Sequence, residues 1–258
     1  MSQEELLACL FYQKNTVANL KKIADTPTDD VLYGSVYTPN ATGKKPVMVW
    51  IHGGVWSVGC PEEYNATPIA GTGAEIRKVY HLQYIGTIHT GKKAMGDVVV
   101  VCLPYRLGPH GFLFGNWGLH DVILGLEWVR DNISAFGGDK DNVTIFGESA
   151  GGWSVDALMA STKAVGLFHK AIAQSGCLLS ILTKYSKVSP AIGYLQKKWN
   201  LDSEEAVREK ATNMSADDLV KLGEEMDKEQ VPYKFNLDGD FFTQSPWNGF
   251  EAFDNIAP

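Results

Sequence analysis

A chain of 258 residues, 45% hydrophobic and 21% charged, has the length and apolar content to bury a sizeable core. A formal net charge of −7 argues against nucleic acid as a partner and provides no polybasic patch for an anionic membrane. No apolar run approaches the roughly 20 residues that span a bilayer. The four cysteines, Cys9, Cys60, Cys102 and Cys177, form no C-x-x-C pair and no metal-ligand spacing with histidine.

In residues 1–30, Leu6, Leu7, Leu10, Val17, Leu20 and Ile23 fall near helical spacing and predict a moderately amphipathic helix. The run Asp25-Thr26-Pro27 ends it. Glu4 and Glu5 stand where a signal peptide carries positive charge. Five N-x-S/T sequons, at Asn40, Asn65, Asn132, Asn142 and Asn213, instead hint at a secretory ancestry. The compartment stays open between these two signals.

Residues 31–38 read as a strand stopped by Pro39-Asn40. Residues 46–51 are continuously apolar, as in a strand buried on both faces. That strand delivers the chain into His52-Gly53-Gly54-Val55-Trp56. A glycine-rich turn at the end of a central strand lets backbone N–H groups point at a ligand oxygen, which is what an oxyanion hole requires. Residues 60–96 have no sustained periodicity, and 77–93 in particular match neither neighbour, so an insertion is expected there.

Residues 97–103 form another valine-rich strand. From Gly118 onward, Leu119, Val122, Ile123, Leu126, Val129 and Ile133 recur at helical spacing up to Gly137-Gly138. Then comes a short β-branched and aromatic run, Val143-Thr144-Ile145-Phe146, leading into Gly147-Glu148-Ser149-Ala150-Gly151. A G-x-S-x-G between strand and helix is the setting in which the serine is a catalytic nucleophile. A helix over 150–160 and a short strand over 171–174 follow. Strand alternating with helix, the strands apolar throughout, implies an α/β fold with a mostly parallel central sheet. Beyond residue 180 the pattern predicts helices over 188–199, 203–212 and 215–226, the last two with serine N-caps at Ser203 and Ser215. Residues 231–242 are aromatic and extended, with a turn at Asp238-Gly239.

Taken together these blocks resemble the type-B carboxylesterase/cholinesterase family of α/β-hydrolases. The resemblance is carried by Asp30-Val31-Leu32-Tyr33 with Val36-Tyr37-Thr38-Pro39, by Trp50-Ile51-His52-Gly53-Gly54, and by Tyr105-Arg106-Leu107-Gly108. It continues through Gly115-Asn116-Trp117-Gly118-Leu119, Trp128-Val129-Arg130-Asp131-Asn132 and Phe136-Gly137-Gly138-Asp139 to Ser149, and closes with Gln174-Ser175-Gly176. It implies an α/β-hydrolase fold and a serine carboxylic ester hydrolase working through an acyl-enzyme on a small-molecule ester. Ser149 would be the nucleophile, and the N–H groups of Gly54, Val55 and Ala150 the oxyanion hole. Gly53 would permit the turn, and Glu148 would tune the electrostatics beside the serine. No metal, no organic cofactor and no nucleic-acid partner is implied, and oligomeric state is left open.

The departures shape the expectation. The family carries glycine or alanine where Val55 stands. Its acid and histidine lie far downstream of the serine, whereas here the only histidine after Ser149 is His169 and the only carboxylate between them is Asp156. Val31 replaces the family's cysteine. Residues 1–28 are therefore expected to be a non-matching segment and 29–258 a partial α/β-hydrolase domain, incomplete at both ends. Low activity of the isolated chain follows. The alternatives are a non-catalytic, neuroligin-like binding module and a truncated fragment without function.

Overall fold

The computed structural model describes residues 34–64, 66–70, 97–177, 189–234 and 238–242. The helix expected within 1–30 and the insertion expected at 77–93 lie outside the described residues.

Five strands are formed: β1 (Ser35–Tyr37), β2 (Lys45–Ile51), β3 (Val99–Leu103), β4 (Gly138–Glu148) and β5 (Lys170–Gln174). They lie in the order β1-β3-β2-β4-β5. β1 runs antiparallel on the β3 edge, and every other pair is parallel. Along the chain, β2 is followed by a neighbour on one side (β3) and then by a neighbour on the other (β4). The strand order thus reverses about β2. In open α/β sheets the loops leaving the carboxyl ends diverge at such a point and leave a crevice.

The period-two alternation of β2 separates the two faces of the sheet. Val47, Val49 and Ile51 join Val99, Val101, Leu103, Val143 and Ile145 in the larger core. Trp50, Val100, Cys102 and Phe146 face the other way, beneath Ala66, Ala70 and Tyr64. Seven helices complete the described structure. They are α1 (Thr67–Ala70), α2 (Gly108–Phe112), α3 (Trp117–Asn132), α4 (Ala150–Met159), α5 (Pro190–Trp199), α6 (Glu204–Thr212) and α7 (Ala216–Lys228). The 3–4 spacing read from the sequence is realised in α3, where Leu119, Val122, Leu126 and Val129 are fully buried in the larger core.

Both predicted serine caps are made: the Ser203 hydroxyl accepts from Ala206 N–H and the Ser215 hydroxyl from Asp218 N–H. Two expectations change. Residues 171–174 form a strand, but one at the edge of the sheet, with Ile172 45% exposed. Its apolar composition therefore does not translate into burial on both faces. The extended character expected over 231–242 gives no described strand. Instead, the Asp238 carboxylate accepts N–H groups from Asn116, Phe241 and Phe242. This strap seats both phenylalanines in the core.

Replacing fully buried Ile145 with alanine is expected to lower unfolding free energy by about 3 kcal/mol, through lost transfer energy plus a cavity. Ser215→Ala should lower it by about 1 kcal/mol. Urea denaturation followed by circular dichroism measures both, and equal midpoints for wild type and Ile145→Ala would contradict the packing described.

Candidate active site

β2 and β4 are neighbours in register, with Trp50 opposite Phe146 and Ile51 opposite Gly147. Both strands therefore end at one level, and the two sequence motifs emerge side by side. β4 ends at Glu148 and α4 begins at Ala150, so the whole reversal falls on Ser149, at φ 55 and ψ −119. That backbone conformation is sparsely populated for a residue with a side chain and persists only when its surroundings impose it. Here Ser149 N–H donates to Gln174 O at 2.8 Å, and Ser149 O accepts from Trp153 N–H at 2.9 Å. Close approach explains the following glycine: a Cβ on Gly151 would lie 2.0 Å from Ile51 O. Ser149 is partly exposed, and no described residue hydrogen-bonds its hydroxyl.

The turn after β2 lies against this elbow. A Cβ on Gly53 would stand 3.4 Å from Ser149 Cβ and 3.0 Å from Glu148 Oε2. Gly54, Val55 and Trp56 then take positive φ in succession, at 112, 51 and 55. The turn closes with Ser57 and Val58 N–H groups both donating to Gly54 O. Trp56 anchors it from below. Its indole N–H donates to Ser154 Oγ at 3.0 Å, and Ser154 Oγ donates to Ala150 O at 2.8 Å. The Trp56 ring stacks on Trp153 at 5.1 Å. The turn after β2 and the start of α4 are thus one bonded unit. The N–H groups of Gly54, Val55 and Ala150 are taken by no other described residue. Ala150 also stands at the positive end of a ten-residue helix.

Val55 is the unusual member. A β-branched residue at positive φ is strained by roughly 1–2 kcal/mol, and its side chain gains little from packing because it is 53% exposed. Its N–H is taken by no other described residue, and Val58, three positions on, is exposed as well.

Behind the turn the fold holds His52, for which the sequence suggests only a packed or solvated role beside the glycine pair. His52 is 0% exposed. Its ring stacks on Tyr105 at 4.4 Å, and Tyr105 O–H donates to His52 O at 2.7 Å. Burial lowers the His52 pKa from 6.5 to about 4, partly opposed by a hydrogen bond to the Gly53 backbone. Tyr64, facing the same imidazole at 6.5 Å, is itself pushed up to about 12 by burial and by the negative charges of Glu63 and Glu148. The signal for His52 was its place immediately before the glycine pair; its burial could not be read from that.

The remaining acid–base candidates stay apart from Ser149. His169 precedes β5, and its Nδ1 accepts the Val143 N–H at 3.1 Å. Because Lys170 pairs with Thr144 and Gln174 with Glu148, His169 lies at the opposite end of the sheet, more than about 13 Å from the elbow along the strand. Asp156 sits seven residues along the chain from Ser149, about 10 Å down the axis of α4. His120 is paired with Asp240 at 3.2 Å. Among the described residues, no cluster of His, Cys, Asp and Glu has the arrangement of a metal site.

Residues 5–256 match the model of the carboxylesterase family. Over 211 residues the chain is 41% identical to para-nitrobenzyl esterase of Bacillus subtilis, covering 77% of this chain and 38% of that protein. Over 172 residues it is 41% identical to carboxylesterase 1D of Rattus norvegicus, covering 62% of this chain and 26% of that one. Among solved structures, a carboxylesterase of Geobacillus stearothermophilus superposes with a TM-score of 0.62 at 31% identity, covering 86% of this chain and 46% of that one. The chain spans less than half the length of each of these relatives.

Two outcomes follow from the geometry. Between pH 6.5 and 4 the unfolded chain takes up a proton at His52 that the folded protein refuses. Stability from this group is therefore complete above pH 6.5 and falls with pH by up to ~3 kcal/mol. A His52→Asn variant should lack that slope in unfolding midpoints measured across the range. Val55→Gly relieves the strain at positive φ against the entropy glycine adds to the unfolded chain. It should leave Tm unchanged or higher, in contrast with the usual loss for a side-chain deletion.

Proposed function

The chain belongs to the carboxylesterase family, and from that membership we propose that it carries the nucleophilic and oxyanion half of a serine carboxylic ester hydrolase acting on small-molecule esters. The supporting observation is the strained, single-residue turn at Ser149 set against Gly53, with the N–H groups of Gly54, Val55 and Ala150 taken by no other described residue. In this reading Ser149 Oγ adds to the ester carbonyl and gives up its proton. The carbonyl oxygen becomes an oxyanion held by the N–H groups of Gly54, Val55 and Ala150. Collapse expels the alcohol, which takes a proton, and leaves an acyl-Ser149; water then adds, and the acid departs. Glu148, with a carboxylate oxygen close to Gly53, shapes the field around the turn and transfers no proton.

Proton transfer needs a base, and no described imidazole or carboxylate hydrogen-bonds the Ser149 hydroxyl. The 258-residue chain by itself is therefore a weak catalyst. Loss of triad members costs several orders of magnitude in rate, and the oxyanion hole and binding retain only roughly 10³–10⁴ over water. A non-catalytic, neuroligin-like binding module is the second reading, and that same observation favours it. Against it, a purely binding surface has no need to maintain a serine at φ 55 beside the glycine turn.

With p-nitrophenyl butyrate the isolated chain should show turnover at least about a thousandfold below that of an intact triad. A fluorophosphonate probe should label Ser149 slowly, and Ser149→Ala should abolish labelling. Rapid Ser149-dependent hydrolysis would overturn the absence of a base. No labelling, together with capture of a defined protein ligand, would favour the binding module.

A further inference from the structure

The Gly53 carbonyl cannot donate, so the 2.8 Å contact between His52 Nδ1 and Gly53 O requires the proton to be on Nδ1. The other ring nitrogen, Nε2, is buried with no hydrogen-bond partner. A bare lone pair there is tolerated more readily than a buried N–H or an imidazolium, so the surroundings select a single tautomer. The imidazole cannot swing away: Tyr105 stacks on it at 4.4 Å and also donates to His52 O. On the other side the chain returns at Gly59, φ 107, where an added Cβ would lie 2.6 Å from His52 Nδ1 and 2.7 Å from Gly53 O. The hydrogen bond is therefore sealed between an aromatic ring and a glycine backbone.

The atom it holds belongs to the peptide unit that contributes the first oxyanion donor. In a trans peptide the Gly53 C=O and the Gly54 N–H point in opposite directions, and the described residues contain no cis bond. Holding the carbonyl toward the imidazole turns the N–H away from it. We infer that His52 is a positioning residue for the proposed reaction: its Nδ1–H fixes the Gly53–Gly54 peptide plane so that the Gly54 N–H faces the oxyanion. This rests on the reading of Ser149 and the Gly54 turn as nucleophile and oxyanion hole. The glycines need such a lock because Gly54, at φ 112, has no side chain to restrict rotation of that peptide. An oxyanion hole is effective only when its dipoles are oriented before charge develops.

Two measurements on the 258-residue protein test this. The first uses ¹⁵N-labelled histidine and NMR at pH 7: His52 should show a protonated Nδ1 and an unprotonated Nε2. The opposite tautomer or a doubly protonated ring would overturn the inference. The second is the rate at which a fluorophosphonate labels Ser149, in which Ser149 Oγ displaces fluoride from phosphorus while the phosphoryl oxygen occupies the oxyanion position. His52→Phe keeps the stacking and loses the donor, and should lower the rate roughly ten- to hundredfold. His52→Asn places an amide N–H near the Nδ1 position and should recover most of it. His52→Gln places its amide near Nε2 and should not. Equal rates for wild type and His52→Phe, or equal losses for Asn and Gln, would overturn the inference. Should the Phe variant fail to fold, the Asn–Gln contrast still decides. Absence of labelling in the wild type would count against Ser149 as nucleophile, while the tautomer measurement would still decide the state of His52.

Discussion

The parallel pairing of β2 with β4 is the constraint on which the rest of the site depends. Ile51 opposite Gly147 sets both carboxyl ends at one height, so the turn at 52–56 and the elbow at 147–151 meet without any long-range search. The contact is backbone on backbone, since a side chain at Gly151 would collide with Ile51 O. A slip of one residue would turn Val47, Val49 and Ile51 to the opposite face and exchange them with Trp50. The two separate cores, the larger one beneath α3 and the smaller one around Trp50 and Phe146, make that slip costly. Packing of the faces therefore specifies the registry of the site.

Around this junction the chain concentrates backbone strain. Ser149, Val55 and Trp56 all hold positive φ without being glycine. What retains them is bonding between the two loops rather than local preference. The Trp56 indole reaches Ser154, Ser154 reaches Ala150, and Ser149 is tied to β5 through Gln174. Each loop thus restrains the other. The result is a pair of loops with little freedom to reorganise, which is what the oxyanion role proposed for their N–H groups would require.

The same logic governs the titratable groups. Glu148 stands beside Gly53, while His52 and Tyr105 are fully buried behind the turn. Burial keeps His52 neutral and Tyr105 protonated at neutral pH. Neither ring adds charge of its own beside the carboxylate, and both act as hydrogen-bond donors to the backbone of the turn. His169, the histidine that follows Ser149 along the chain, is committed to the far end of β4 as a hydrogen-bond acceptor.

Much of this was legible in the residues themselves. Alternation in 46–51, helical spacing from Gly118, serine caps at 203 and 215, and G-x-S-x-G after a β-branched run are local patterns, and local sterics and periodicity suffice to read them. The sequence also supplied the candidate nucleophile and the glycine pair, because these depend on residue type and chain order. Tertiary structure decided what depends on neighbours distant in sequence. It made residues 171–174 an exposed edge, turned 238–242 into a strap around Asp238, and placed Val55 in a strained turn with an exposed side chain. It also made His52, which the sequence offers only as a packed or solvated strand-end residue, a buried donor. Its burial arises from Tyr105 and Gly59 closing on one imidazole. Tyr105 is brought there by the pairing of β3 with β2, 53 residues away in the chain.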